Sequence, residues 1–426
     1  MKQWIKKIVL FYLERVAAWR LRKIHPKIIA ITGSVGKTST KEAIFMVASA
    51  VTSAHRSRGN LNTEFGVSLT ILEQASGYSS PFRWLEIFWN GFWSTLFLKK
   101  NPYTTLVLEM GADKPGDIAY FMKRLTPQVA VITTIQPSHL GPGQFGSIEE
   151  IFKEKSRLVR ALPKDGLAIL NADDSRVTSL KRELTCRVAL FGTAKEADFR
   201  AEEIKSDKKG VQCRVCYKKK SVLFQFPHLL GSHQVYTVLP AIAVGVLIFR
   251  LSLSRLALIL KDFQLPPGRM NPIPGIHDTL IIDSSYNASP ESMRAALEVL
   301  KAMPGRRIAV LGSMNELGAV SYKAHVEMGR LAASSADVLV TVGKVARDIA
   351  ASALKQGFSQ DQIYKFDTSL QVVNFLPSFL KKSDIILVKG SQNQIRLERL
   401  VKALMKEPEK AKEMLVRQDE YWQERN

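Results

Sequence analysis

Short apolar runs rich in β-branched residues recur at 28–31, 105–108, 129–133 and 167–170, and stretches of helical period separate them. Runs of four or five apolar residues fit strands buried on both faces, so the alternation predicts a mostly parallel sheet between two layers of helices. Leu265-Pro266-Pro267-Gly268 interrupts the pattern. Proline removes a ladder donor and glycine frees the turn, which makes this the expected boundary between domains. Beyond it the alternation resumes at 279–282, 307–311, 338–342 and 384–388, predicting a second, smaller α/β unit of the Rossmann-like kind.

Two segments stand outside this alternation. In residues 1–27, Ile5, Val9, Tyr12, Leu13, Val16 and Trp19 share one helical face, with Lys2, Lys6, Lys7, Arg20, Arg22 and Lys23 available for the polar side. The segment has the lysines and apolar run of a signal peptide, but Glu14 and Arg15 interrupt the run and no small-residue cleavage site follows, which argues against secretion. A basic amphipathic helix of this kind either lies in a membrane interface or packs on the next domain. Residues 80–103 carry Phe82, Trp84, Trp89, Phe92, Trp93 and Phe97 and end in Lys99-Lys100. They are too few, and too polar at Arg83, Glu86 and Asn90, to span a bilayer, yet tryptophan-rich, lysine-flanked helices favour its surface. The other readings are burial against the N-terminal helix and a dimer face.

At 426 residues, with 46% hydrophobic and 23% charged positions, the chain has room for two or three folded domains. Its net charge of +22 implies an anionic partner: a nucleotide, a nucleic acid or an acidic lipid surface. Without a zinc finger, an RNA-recognition signature or an aromatic-interleaved basic stripe, no nucleic acid is expected. Three cysteines are too few for a disulfide framework and fit a reducing compartment, so the expected location is cytoplasmic, with peripheral contact at the inner face of the membrane as an addition. Cys213-Arg214-Val215-Cys216 has redox or zinc spacing, but it lies in an alternating stretch, 211–217, followed by three lysines and a second stretch, 222–226. That reads as a β-hairpin with the thiols on opposite faces, and no second pair completes a metal site.

The chemistry concentrates where the first apolar run ends, in Gly33-Ser34-Val35-Gly36-Lys37-Thr38-Ser39. Glycines let successive N–H groups curl towards an anion at the start of a helix, Lys37 reaches β- and γ-phosphates, and the Thr38 hydroxyl suits Mg²⁺. The full phosphate-loop pattern places its first glycine at position 31, where Ile31 stands, so the loop is a shortened variant. The fold class expected is therefore α/β: a central P-loop-type parallel-sheet ATPase domain at 28–266, holding the 80–103 insertion, then a smaller Rossmann-like domain at 267–426.

Several stretches in the same order resemble the Mur ligases, ATP-dependent enzymes that add amino acids or peptides to the cell-wall muropeptide, and above all the branch that adds D-alanyl-D-alanine. They are the loop at 33–39; Gly59-Asn60-Leu61-Asn62-Thr63-Glu64-Phe65-Gly66-Val67; Glu109-Met110-Gly111-Ala112 with Gly116-Asp117-Ile118; and His139-Leu140 with Phe145-Gly146-Ser147 and Lys155. In the last domain they are Asp283-Ser284-Ser285-Tyr286-Asn287-Ala288 with Ser292-Met293, Glu316-Leu317-Gly318, His325, and Val388-Lys389-Gly390-Ser391.

The resemblance implies transfer of the ATP γ-phosphoryl group to a carboxylate, giving an acyl phosphate that an amine then attacks. It implies Lys37, His139 and Lys155 in catalysis, with Gly33, Ser34, Gly36, Lys37, Thr38 and Ser39 around the phosphates. Thr38, Glu109, His139 and a carbamylated Lys155 would be the Mg²⁺ residues, and Asn60 and Asn62 would lie towards substrate. Read alone, Lys155 sits on a solvated helix face with Lys153 as a competing register, and histidine is a less natural Mg²⁺ ligand than oxygen. Arg269, just past the break, either clamps the γ-phosphate when the domains close or is a linker charge, while Asp283 suits a ribose. Tyr286, Asn287, Ser292, Lys389 and Ser391 either bind the incoming dipeptide or serve as helix caps and supports.

Two departures from the family pattern stand out. Only 27 residues precede the first apolar run, too few for the uridine-nucleotide-binding domain with which these ligases begin, so the acceptor is expected to be a muropeptide or a lipid-linked cell-wall precursor held in another way. Gln234 and Thr237 stand where asparagines of an adenine-contacting segment are expected. The competing readings are a related ligase with a pseudomurein-type or folylpolyglutamate-type acceptor, and a non-catalytic, membrane-associated nucleotide-binding partner.

Overall fold

The computed structural model describes residues 3–59, 61–78, 80–137, 140–141, 143–315, 317–391, 395–419 and 422. Nine strands form the first sheet: β1 (Lys27–Thr32), β2 (Ala54–Arg56), β3 (Thr105–Glu109), β4 (Val129–Ile132), β5 (Leu167–Asn171), β6 (Arg187–Gly192), β7 (Phe199–Asp207), β8 (Gly210–Tyr217) and β9 (Lys220–Phe226). Their order is β2-β3-β1-β4-β5-β6-β7-β8-β9, parallel as far as β7 and antiparallel across β7, β8 and β9. β8 and β9 are the expected hairpin, with Cys213 buried and Cys216 half-buried against Glu202.

The first six helices are α1 (Gln3–Ile24), α2 (Lys37–Ser49), α3 (Glu64–Ile71), α4 (Pro81–Leu96), α5 (Asp117–Met122) and α6 (Ile148–Arg160). Successive side chains of β1 point to opposite faces, and the core divides accordingly. Ile29 and Ile31 join Ile44 and Val47 of α2 and the helix Val235–Leu247 on one side. Ile28 and Ala30 join Leu13 of α1, Val67 of α3, Ile118 of α5 and Ile151 of α6 on the other. Both faces are covered, which is why these strands read as unbroken apolar runs.

A second sheet holds β10 (Asn271–Pro274), β11 (Leu280–Ser284), β12 (Arg307–Gly312), β13 (Val338–Val342), β14 (Ile363–Phe366) and β15 (Ile385–Lys389), ordered β10-β11-β15-β12-β13-β14. All its pairs are parallel except β10 with β11. The apolar runs miss β2, which is three residues long, β6, β7 and β14, which begin or alternate with polar residues, and β10, whose Pro272 and Pro274 read as a break but are tolerated on a sheet edge.

Helix α1 packs on α3 and α4, as the second of its two readings expects. Leu13, Val9, Val16 and Ala17 are buried there, Tyr12 OH donates to the Phe88 carbonyl at 3.0 Å, and the Tyr12 and Phe88 rings meet edge to face at 4.9 Å. Lys23 Nζ donates to the Thr95 and Leu96 carbonyls, each at 3.0 Å, and so closes the C-terminal end of α4. Arg20, expected on the polar side, is instead buried, paired with Glu73 and donating to Ser94 Oγ at 3.1 Å. A charge lies inside the helix layer because a partner waits for it there. Among the described residues no helix is long and apolar enough to cross a membrane.

Replacing Leu13 with alanine removes a side chain that is 0% exposed and is expected to lower unfolding stability by about 2–5 kcal/mol. Urea titration checks this; a midpoint unchanged from the parent means that α1 is not part of the core.

Candidate active site

In each parallel sheet one strand has neighbours reached by crossovers in opposite directions, and the crevice beyond its C-terminal end is where such sheets hold ligands. In the first sheet that strand is β1, flanked by β3 and β4. The chain leaves it through Gly33, at φ +145°, where a Cβ would lie 2.0 Å from Thr133 Oγ1. Gly36, left-handed at φ +85°, is the N-cap of α2 and supplies no side-chain cap, so the helix presents bare backbone N–H groups. Ser34 Oγ donates to the Gln136 carbonyl at 2.8 Å and accepts from its N–H at 3.0 Å, pinning the loop beyond β4. Lys37 Nζ curls over the loop onto the Gly33 and Ser34 carbonyls at 3.0 and 3.3 Å, with Thr38 and Ser39 buried behind it.

Glu109 closes β3 beside this loop. Asn62 Nδ2 donates to its Oε1 at 3.1 Å, while Oε2 is buried without a hydrogen-bond partner, 4.0 Å from Lys41 Nζ. A buried carboxylate oxygen without a hydrogen bond is costly, and a hard cation would satisfy it. Among the described residues no three His, Cys, Asp or Glu side chains converge as a metal cage. Mg²⁺ does not need one, since it is commonly held by one or two carboxylates and substrate phosphates. The residues therefore fit a metal brought in with a nucleotide. Asn60 and His139 lie outside the described residues.

Helix α6 brings Lys155 inward and leaves Lys153 exposed, so of the two registers Lys155 is the one turned towards the cleft. Lys155 Nζ donates to the Ala112 carbonyl at 3.4 Å. Burial first, and the nearby Lys37 charge second, pull its pKa from 10.5 down to about 7. A neutral amine can add CO₂, so this environment suits a carbamate. Lys155 is not on the solvated face expected of it, because it shares the buried side of the helix with Ile151, Leu158 and Val159; Glu154 turns inward beside it, accepting from the Ile118 and Ala119 N–H groups at 2.8 and 3.1 Å.

The second sheet contributes from across the cleft. Arg269 Nη2 donates to Thr38 Oγ1 at 3.0 Å, and its guanidinium lies 4.3 Å from the centre of the Tyr286 ring. It therefore reaches the first domain's loop rather than standing as a free linker charge. Asp283 ends near the tip of β11; Ser285 N–H donates to Oδ1 at 3.0 Å, Oδ2 is buried without a partner, and burial raises its pKa from 3.8 to about 6. Lys389 Nζ donates to Ser284 Oγ at 3.0 Å and to the Asn287 carbonyl at 2.9 Å, with its pKa lowered to about 7 by burial and then by Arg269. Gln234 is buried, 3.0 Å from His233 Nε2, and accepts from Thr237 Oγ1 at 3.2 Å, so the two substituted positions bond to each other. Burial and Lys389 hold the His233 pKa down at about 4.

Other expected residues make contacts within the second domain or stand exposed on it. Ser292 forms a reciprocal capping box with Ser289, and buried Ser391 accepts from the Asn315 N–H at 2.9 Å. Asn287 is exposed. His325 Nε2 accepts from the Met314 N–H at 2.9 Å, so its Nδ1 carries the proton towards the Ser321 carbonyl at 2.8 Å and the ring braces the loop after β12. Sequence reasoning passed over Lys41, one helical turn beyond Lys37. It is wholly buried, donating to the Ser57 carbonyl at 2.6 Å beside Glu109, and the four-residue spacing from Lys37 was the available signal.

Fold and loop together define an α/β protein of the phosphate-loop ATPase kind joined to a Rossmann-like domain. The Mur ligase middle domain matches residues 91–245, and the Mur ligase, glutamate ligase domain matches 268–392. UDP-N-acetylmuramoyl-tripeptide–D-alanyl-D-alanine ligase of Escherichia coli is 30% identical over 395 residues, covering 91% of this chain and 79% of the relative. Two solved structures superpose with a TM-score of 0.76: MurF from Acinetobacter baumannii, at 29% identity over 91% of this chain and 79% of that one, and MurF ligase from Thermotoga maritima in complex with ADP, at 25% identity over 94% and 84%. The chain belongs to the Mur ligase family.

Lys155 and Lys389 predict a pH dependence of stability. Between their folded pKa of about 7 and the ordinary 10.5 the unfolded chain holds the extra protons, so raising pH across that window favours the folded state. This contribution is complete above 10.5 and lost below 7. In carbonate-free buffer, the rise in urea midpoint from pH 7 to 10 is expected to flatten in Lys155→Met; equal slopes in parent and variant would refute it.

Proposed function

We propose that the protein is an ATP-dependent carboxylate–amine ligase that joins D-alanyl-D-alanine to UDP-N-acetylmuramoyl-tripeptide, the acceptor and amine named for its relatives. The observation that carries this reading is the gathering of Lys37, Lys155, Arg269 and Lys389 about a cleft in which Glu109 and Asp283 each bury a carboxylate oxygen without a hydrogen bond. Lysines whose pKa values are lowered first by burial and then by a neighbouring cation mark a site made for polyanions.

In the first step the acceptor carboxylate attacks the γ-phosphorus of ATP; a new O–P bond forms, the bond to the bridging oxygen breaks, and ADP leaves. Lys37 and the N–H groups at the start of α2 hold the phosphates, and Arg269 draws the second domain onto them. Bound Mg²⁺ would neutralise charge on the β- and γ-oxygens, with Thr38 and Glu109 as its protein ligands. Asp283 accepts from the ribose, and Gln234 lies towards the base. Lys155, a sizeable fraction of it neutral at pH 7, adds CO₂ through its nitrogen and releases a proton, giving a carboxylate on the metal side of the cleft. In the second step the dipeptide amine attacks the acyl carbon, inorganic phosphate leaves and the amine loses a proton, with Lys389 and Tyr286 lining the approach. His139 and Asn60 keep, by resemblance, their roles next to metal and acceptor.

A lipid-linked form of the acceptor is the second reading, favoured by the aromatic outer side of α4. Pseudomurein-type and folylpolyglutamate-type acceptors remain its competitors. A non-catalytic role is disfavoured because Lys37, Glu109 and Lys155 are all present.

With ATP, Mg²⁺, the tripeptide acceptor and D-alanyl-D-alanine, phosphate release is expected only when every component is supplied, and Lys37→Ala is expected to lose roughly a hundredfold or more in kcat. Release that ignores omission of the dipeptide points to another amine. Carbon-13 bicarbonate is expected to give a carbamate resonance in the parent that Lys155→Met lacks; a resonance retained in the variant removes Lys155 from this role.

A further inference from the structure

The sequence pattern offers Ile5, Val9, Leu13 and Val16 as a membrane-facing stripe, but that side of α1 is spent on protein packing, and the aromatic residues left over form a different surface. Helices α1 and α4 lie side by side and run in the same direction, since Tyr12 meets Phe88, Trp19 meets Phe92, and Lys23 meets Leu96. Inward, α1 presents Leu13 and Ala17, and α4 presents Ile87, Gly91 and Thr95. At about 100° per residue, Trp4, Ile8 and Phe11 fall opposite the packed side of α1, and Phe82, Leu85 and Trp89 opposite that of α4. These six side chains are accordingly exposed, Trp4 by 60%, Phe82 by 82% and Trp89 by 66%. Contacts between the helices are made from their flanks, so both exposed stripes lie on the same outer side of the layer.

We infer that this two-helix surface docks the protein on an anionic lipid bilayer. Apolar exposure of this kind is a patch rather than a scatter, and its composition of Trp, Phe, Leu and Ile is that of side chains favoured at a headgroup boundary. Its surroundings are basic: Lys6, Lys7, Arg15 and Arg22 on α1, Arg83 on α4 and Lys99-Lys100 beyond it. Arg15 sits 4.9 Å from the centre of the Phe11 ring, which puts cation and aromatic at the same level. Glu14 is turned away to Arg124 at 2.9 Å and to Tyr120, leaving Glu86 as the acidic side chain of α4. A net charge of +22 adds long-range attraction to the same partner. With no helix among the described residues suited to spanning, the contact is an interfacial one, with both helices flat on the surface. It stands independently of the ligase reading, because lipid binding requires no turnover.

The test is flotation of the full chain with vesicles of equal parts phosphatidylglycerol and phosphatidylcholine, and with phosphatidylcholine alone. Phosphatidylglycerol vesicles are expected to carry the parent, and a combined Trp4→Ser, Phe82→Ser and Trp89→Ser variant is expected to float about tenfold less or worse. Its thermal midpoint is expected to match the parent, since all three positions are exposed, and so are its rates of ATP turnover on soluble substrates. Binding by the variant equal to the parent overturns the inference, as does a parent that ignores phosphatidylglycerol vesicles. A parent that sediments as a dimer, ignores lipid and becomes monomeric in the variant also overturns it, making this face an interface between copies.

Discussion

Arg269 donating to Thr38 is the contact on which the arrangement of the cleft depends. It spans the two sheets, placing a cation of the second domain on the hydroxyl next to Lys37. Burial is what lowers the pKa of Lys37 and Lys389 most, and Arg269 adds to it, for Lys37 from one side and for Lys389 from the other. Like charges held this close are tolerated only with compensation, and the fold supplies it through Glu109, Asp113 and Asp283 at strand ends and loops. A polyanion entering between the sheets relieves the remainder. The free energy of closing the domains and that of binding a nucleotide are thereby linked.

Supports around the cleft are as specific as the charges. Ser57 Oγ accepts from the Glu109 N–H at 3.1 Å while the Ser57 carbonyl takes Lys41, so one residue of the β2 edge steadies both members of a buried ion pair. Glu154 holds the start of α5 while its neighbour Lys155 enters the cleft. Such couplings explain why residues with no direct claim on a ligand occupy buried positions here.

Legibility in the sequence followed the range of the cause. The phosphate loop and its strand could be read because glycine, lysine and hydroxyl lie within seven residues and act locally. The parallel strands could be read because two-sided burial makes them uniformly apolar. The inward turn of Lys155 was legible in the spacing, since it shares one helical face with Ile151, Leu158 and Val159, but a lysine on an apolar face does not say what it meets there, and that depends on tertiary packing. The reach of Arg269 depends on how two domains meet, which no local pattern encodes. Helix α1 has two apolar sides, and hydrophobic spacing cannot say which one a neighbouring helix will take.

The prolines of β10 carry a consequence of their own. Pro272 and Pro274 are two apart, so both lack an N–H on the same side of the strand, the side turned away from β11. The outermost edge of the second sheet therefore has no donors to offer at either position, and a stray extended segment finds no ladder to extend there. The Lys406 N–H takes the Pro274 carbonyl at 3.0 Å, so the same rim that lacks two donors also has an acceptor already occupied by the chain itself, and strand recruitment is disfavoured there.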